Sequence, residues 1–397
     1  MAPGQWSRAM GKRIEVCLQM KILLVSSSSG SRGGGEIYLL YLARALVRRG
    51  HEVTLWASSH PRMDELAALF TEVGTVVRSE YTNTYDHRTR SLASFLNFSG
   101  AARIADEWKA LRPDVIHVNK QNLEDGLDLL RAATLSKCAS ICTIHLSQTA
   151  AYLKASLAWL RDWIAHRALD AYNGAMVCVL DDRANDLRNF LGRNERIHAV
   201  ANGVELYDLA KKPAVRESKR AELGIAPNEL LIAAVGRLVP QKRPFVFLDL
   251  AERIHSRVPH VRFVWIGDGS LSKEWDERAA RLGYVRRVGW QRSVSEFLFA
   301  ADVFLHTAEF EGLPLAILEA LSSGLPCAIT PNLLAEMPFL DGTNSIFISE
   351  DEVWADVLSD PSRLDELGKN ARQLAEKCFS FDTMAARYEA LYEEARK

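Results

Sequence analysis

From Lys21 onward, apolar runs of strand length alternate with segments of helical period, and the alternation is run through twice. A chain built this way has to bring each helix back over the sheet, so successive strands lie parallel and the crossovers are right-handed. The first pass has strands at 21–27 (KILLVSS), 51–57 (HEVTLWA), 114–119 (DVIHVN), 140–146 (SICTIHL), 175–180 (AMVCVL) and 196–200 (RIHAV). Helices are expected over 36–49, 91–111, 123–133, 151–172 and 181–191, the last capped by Asp181. The second pass begins at 230–236 (LLIAAVG), continues with strands at 261–267 and 285–289, and ends in helices at 361–377 and 381–396. Between the passes lie Asn202-Gly203-Val204 and a lysine-rich polar stretch, KKPAVRESK, where the domain boundary is expected. The fold class that follows is α/β, with two doubly wound parallel sheets facing a cleft.

A length of 397 residues is enough for two cores, and 48% apolar against 25% charged residues is a globular balance. No apolar run reaches the ~18 residues that span a bilayer. Residues 1–19 have no long apolar core and read as a disordered extension rather than a secretory signal. The six cysteines lack metal-ligand spacing, and Cys138, Cys142, Cys178 and Cys327 sit in apolar runs, a usage suited to a reducing cytoplasm. Residues 1–204 hold 25 Lys+Arg against 20 Asp+Glu, a balance of +5, and the remainder balances at −6. A mildly basic first half is compatible with an anionic acceptor or a lipid surface, and equally with ordinary solvated charge.

Residues 302–330 carry the densest chemistry. A strand (302–307) leads into a polar turn with Glu309 and Glu311, and a helix from Pro314 to Ser323 carries Glu319 before Gly324 stops it. Glu311 therefore sits at the carboxyl end of a strand, where open α/β sheets bind ligands, and Glu319 about two helical turns further on. The segment Gly236–Lys242 (GRLVPQK) sets Arg237 and Lys242 at another strand's carboxyl end, a pairing suited to phosphate oxygens. Arg32-Gly33-Gly34-Gly35-Glu36 joins the first strand to the first helix, but its spacing fits neither a dinucleotide fingerprint nor a Walker loop. His145 ends a strand of the first half and would face the same cleft. The helix expected at 151–172 carries Trp159 and Trp163 with Lys154, Arg161 and Arg167, a stripe that fits either core packing or a membrane surface. No Asp-x-Asp motif, Cys/His cluster or nucleophile elbow occurs, so no catalytic metal and no cofactor is implied.

Taken in order, GGGE (33–36), TIH (143–145), ANGV (201–204), GRLVPQK (236–242), IGDGSL (266–271), VGWQ (288–291) and EGLPLAILEA (311–320) resemble glycosyltransferase family 4, over nearly everything from Lys21 to the C-terminus. The resemblance implies the GT-B fold: an acceptor domain over 20–204, a nucleotide-sugar domain over 205–380, and a last helix, 381–397, returning to the first domain. It implies sugar transfer from a nucleotide diphosphate donor, a UDP- or GDP-sugar, with retention of configuration and without a metal. By the same resemblance Arg237 and Lys242 grip the diphosphate, with Gly34 offering its amide, and Glu319 binds the ribose. Glu311 and His145 attend the donor sugar, and Arg292 lies near the base. Where many members have Phe-Gly, this chain has Leu313-Pro314. Pro314 has no N–H, which leaves the Leu313 and Leu315 amides to face an anion.

The acceptor, a saccharide, a lipid-linked saccharide or a small molecule, is expected at the first domain, with Tyr81, His87 and Arg88 of the polar segment 78–90 as its contacts. The expected place is the cytoplasm, with peripheral contact at the inner face of a membrane and no nucleic-acid partner. Two rival readings stay open on the residues: a nucleotide-sugar epimerase on a similar fold, and a non-catalytic nucleotide-sugar-binding protein. Whether Glu311 is a covalent nucleophile or an electrostatic group is likewise open.

Overall fold

The computed structural model describes residues 19–28, 30, 33–84, 87, 89, 91–347 and 351–397. The expected extension at 1–19 lies, but for Gln19, outside the described residues, as does Arg88. The first sheet has seven strands: β1 (Lys21–Ser26), β2 (Glu52–Ser58), β3 (Thr75–Ser79), β4 (Val115–Asn122), β5 (Ser140–Leu146), β6 (Ala175–Cys178) and β7 (Ile197–Ala199). The second has six: β8 (Leu230–Val235), β9 (Val261–Ile266), β10 (Val285–Gly289), β11 (Val303–His306), β12 (Cys327–Ile329) and β13 (Ser345–Phe347). Their orders are β3-β2-β1-β4-β5-β6-β7 and β10-β9-β8-β11-β12-β13. Every pairing in both sheets is parallel. In each sheet the order reverses beside the first strand, so crevices open at the carboxyl ends of β1 and β4 and of β8 and β11.

Several local expectations give way to the tertiary structure. The helix expected from Ala151 begins only at Ala158 and runs to Asp170, because Lys154 and Leu157 both take left-handed backbone (φ 53°). Asp162 of that helix accepts from the Ala150 and Ala151 N–H groups at 2.7 and 3.0 Å and fixes the preceding turn. The 91–111 helix is two, Ser91–Leu96 and Phe98–Leu111, with Asn97 capping the second through the Gly100 N–H. KKPAVRESK is no linker but the body of a helix, Lys212–Leu223, with proline at its start and Gly224 (φ 70°) at its end. Asp181 does not cap its helix, being its first residue after Leu180. The edge strand β3 and the helix Asp64–Thr71 went unread in the sequence; β3 is half-buried and lacks clean alternation.

The helix Phe381–Ala395 lies against the first domain. The Tyr388 hydroxyl meets that of Tyr38 at 2.6 Å and the Thr143 hydroxyl at 2.9 Å, and the Tyr392 hydroxyl meets His117 Nδ1 at 2.8 Å. Arg49 holds Glu389 with two parallel bonds of 2.6 and 2.7 Å, and His51 Nε2 adds a third at 2.8 Å. The chain thus crosses between the halves twice, and the crossings run side by side: Val204 N–H donates to the Phe379 carbonyl (2.8 Å) and Phe381 N–H to that of Val204 (3.2 Å). A Cβ on Gly203 would lie 2.7 Å from the Ser380 carbonyl oxygen, so only glycine allows this approach. One apolar cluster joins the halves here, from Tyr38 and Leu42 through Phe381 and Ala385 to Leu315 and Leu318.

Candidate active site

Two loops at the carboxyl ends of β8 and β11 are tied together. Gln241 Nε2 donates to the Phe310 carbonyl (3.0 Å), Glu309 N–H to that of Gln241 (2.8 Å), and Thr307 Oγ1 to that of Lys242 (2.9 Å). Glycines bring a third loop alongside. A Cβ on Gly267 or Gly269 would lie 2.2 Å from the carbonyl of Gly236 or Leu238, which accounts for the glycines of IGDGSL. This frame carries Lys242 to Glu311, with which it forms an ion pair. His306, the last residue of β11, meets the same carboxylate oxygen at 3.1 Å through Nε2. Burial alone would raise the Glu311 pKa. The Lys242 ammonium and the His306 bond outweigh burial and hold it at about 2. Glu311 is therefore a buried carboxylate that is ionised at neutral pH. Arg237, by contrast, is exposed and makes no side-chain bond among the described residues.

The Glu311 loop faces the first domain at contact distance. A Cβ on Gly312 would lie 2.2 Å from the His145 carbonyl oxygen, and Asn202 Nδ2 donates to the Leu313 carbonyl at 2.7 Å. His145 is buried, its Nε2 on Asn119 Oδ1 at 2.8 Å and its ring edge-on to Tyr38. Burial pushes its pKa down to about 4, so at neutral pH it is a hydrogen-bonding imidazole rather than a proton carrier. Leu313 and Leu315 bracket Pro314 at the start of the helix Leu315–Ser322, and their N–H groups have no acceptor among the described residues.

Glu319 has a different setting from Glu311. It is buried on the helix Leu315–Ser322 and accepts from the Tyr41 hydroxyl, across the cleft, at 2.5 Å. With no cation against it, burial pushes its pKa up to about 7. Gly34 opens the helix Gly34–Arg48 and has open space where a side chain would be, leaving its backbone accessible. Gly35 has a packing reason instead: a Cβ there would lie 2.3 Å from the Gln121 amide. Glu36 of the same motif is buried, which raises its pKa, while the charge of Arg237 acts to lower it. The glycine loop and GRLVPQK thus face each other across the cleft.

Three expected contacts are not brought to this cluster. Tyr81 is a core residue, buried against Trp56 (ring centroids 5.5 Å apart), with its carbonyl held by the Ser58 hydroxyl at the end of β2. Arg292 makes a surface ion pair with Glu72 of the first domain at 2.7 Å. His87 is exposed on the polar segment. In turn, His306, Tyr41, Asn202 and an Arg183–Glu336 pair (2.8 Å) were not singled out as site residues. Glu336 Oε2 also accepts from the Glu311 N–H at 3.3 Å, so Arg183 of the first domain reaches the Glu311 loop through it. His306 had one legible signal, its place at a strand's carboxyl end five residues before Glu311. Among the described residues no group of three His, Cys, Asp or Glu side chains is placed to hold a metal ion.

The sequence profile of Glycosyltransferase Family 4 matches residues 32–207, and that of Glycosyl transferases group 1 matches 215–374. An Escherichia coli UDP-Gal:alpha-D-GlcNAc-diphosphoundecaprenol alpha-1,3-galactosyltransferase is 36% identical over 34% of this chain and 36% of its own length. The chain thus spans about a third of that relative. A Xylanimonas cellulosilytica D-inositol 3-phosphate glycosyltransferase is 26% identical over 93% of both chains. Among solved structures, Anabaena HepE in complex with UDP and glucose superposes with a TM-score of 0.74 at 18% identity, over 94% of this chain and 99% of that one.

Proposed function

Since the chain belongs to glycosyltransferase family 4 and has the GT-B fold, we propose that it transfers a sugar from a nucleotide diphosphate donor, with retention of configuration. The observation that carries this reading is the ion pair of a Glu311 held ionised with Lys242, which is on the same loop as an exposed Arg237 that makes no side-chain bond among the described residues. A departing nucleoside diphosphate develops negative charge. Arg237 and Lys242 supply fixed positive charge where it develops, with the Gly34, Leu313 and Leu315 amides beside them, so the reading includes no metal. Glu311 takes donor-sugar hydroxyls and steadies positive charge at the reacting carbon. Neutral His145 donates to or accepts from the same sugar, and Glu319 takes the ribose hydroxyls, exchanging its bond to Tyr41 for them. UDP or GDP is the proposed nucleoside diphosphate; HepE, a fold relative, was solved with UDP. The acceptor is a saccharide or lipid-linked saccharide at the first domain, as the name of the E. coli relative describes for that protein. Peripheral work at a membrane is part of the same reading.

Donor turnover with a panel of UDP-, GDP- and ADP-sugars tests the proposal. Wild type should turn over at least one of them. Lys242→Ala and Glu311→Gln should each lower kcat by about 10²–10³-fold with the fold intact. No turnover of any donor, or a Lys242→Ala protein as active as wild type, would overturn it.

A further inference from the structure

We infer that the first domain docks on an anionic lipid surface through a patch formed by the helices Ser91–Leu96 and Ala158–Asp170 and the turn between β5 and the second of them. The first helix is inside out: Ser91 and Ser94 are buried while Leu92 and Leu96 are exposed. An isolated exposed leucine needs no explanation, but polar-in and apolar-out on one short helix means that its outer face is matched to something other than water. Beside it Trp159 and Trp163, one helical turn apart on a single face, are 73% and 54% exposed, and Leu157 before them is 66% exposed. The two helices form one surface, since Phe95 of the first lies edge-on to Trp163 of the second, ring centroids 6.5 Å apart.

The charge on this face is what selects lipid. Lys154 and Arg167 are exposed and make no ion pair among the described residues. The neighbouring acids are turned inward: Glu124 binds Arg161 (2.8 Å), Asp162 holds two backbone N–H groups, and Asp128 binds Ser94 and Asn97 (2.8 Å each). Asp170, at the far end of its helix, is exposed, as are Asp181 and Asp182 at the start of the next helix, while Asp186 there binds Arg183 (2.8 Å). Exposed tryptophans flanked by unpaired cations fit the interfacial zone of an anionic bilayer, where rings sit at headgroup level and each cation adds attraction. Location gives the patch a purpose. It grows from the segments that follow the carboxyl ends of β3 and β5, the edge where β5 presents His145. Docking would therefore set the mouth of the cleft at the bilayer surface, where a lipid-carried acceptor resides. In that respect the inference rests on the proposed transferase reading, although its test does not.

Flotation of the full chain with phosphatidylcholine vesicles, alone or with about a third phosphatidylglycerol, decides the matter without any donor present. Wild type should float with the anionic vesicles and be released by salt. The double variant Trp159→Ser/Trp163→Ser should lose about tenfold or more in binding. Lys154→Glu/Arg167→Glu, which leaves the aromatic face intact, should lose about fivefold or more on anionic vesicles alone. All four side chains are exposed, so melting curves should match wild type. Wild type failing to bind anionic vesicles, or binding them no better than neutral ones, would sink the inference. So would a tryptophan variant that floats like wild type. Sedimentation showing a wild-type dimer that the tryptophan variant dissolves, without vesicle binding, would assign the patch to a second copy instead. Donor turnover surviving any of these outcomes leaves the transferase reading standing, and its loss with vesicle binding intact strikes that reading alone.

Discussion

Glu311 and Glu319 are both buried carboxylates eight residues apart, and their surroundings drive them in opposite directions. Lys242 and His306 hold Glu311 near 2, against the cost of burial, while Glu319, facing only a tyrosine hydroxyl, is raised to about 7. The stability consequence of Glu319 has a definite sign. Its folded pKa lies above the ordinary 4.5, so between about 4.5 and 7 the folded chain binds more proton than the unfolded one, and stability falls as pH rises through that window. Glu319→Gln should therefore stabilise the empty protein by up to about 3 kcal/mol at pH 8, with the gain vanishing near pH 4.5. Melting of both proteins across that range checks this, and a gain independent of pH would contradict it. Glu311 has the opposite sign: its contribution is complete above 4.5 and is lost as pH falls towards 2. The places of Arg237, Lys242 and Glu311 after strand ends, and of Glu319 on the helix that follows, were legible because strand-end position and spacing are local. Tyr81 was misread because its polar neighbours hid a side chain that packs on Trp56, and no local pattern pairs Tyr41 with Glu319 across 278 residues.

Among the elements, the helix Phe381–Ala395 has the most consequence for its length. Its buried face is a row of hydroxyl and carboxylate bonds into the first domain, and Glu389, only 5% exposed, anchors both Arg49 and His51. Glu389→Ala would leave buried His51 and the partly solvated Arg49 without their carboxylate and should cost about 2 kcal/mol in denaturant unfolding. A loss under 1 kcal/mol would mean that the apolar face alone holds the helix. The helix itself was readable from periodicity. The stop at Leu157 was not, since it rests on left-handed backbone at Lys154 and Leu157 and on Asp162 reaching back to Ala150 and Ala151. Nor was the helix Lys212–Leu223, whose charged surface reads as a linker. It is fixed by Arg216 and Arg220, which both reach Asp302 ahead of β11 (2.5 and 3.2 Å).

Across the whole molecule, the two sheets are joined by a double crossing and bridged over the cleft by Tyr41–Glu319, Arg183–Glu336 and Arg292–Glu72. Of these the Arg183–Glu336 pair is the most buried ion pair and the one bonded on to the Glu311 loop. A double-mutant cycle of Arg183→Ala and Glu336→Ala should give a coupling of about 1 kcal/mol or more. Arg183→Glu should enlarge the radius of gyration in solution scattering, as the cleft opens about the crossings. Additive effects and an unchanged radius would remove this pair from cleft closure. Strand-and-helix alternation, repeated twice, was enough to determine two parallel α/β layers and a cleft, because hydrophobic period and crossover handedness are set by neighbours in sequence. It also determined which loops carry charge at strand ends. The tertiary structure alone decided which carboxylate stays ionised, which tyrosine is core and which crosses the cleft, and which tryptophans face outward. Each of these depends on desolvation and on partners brought together from distant parts of the chain, and a linear pattern contains neither.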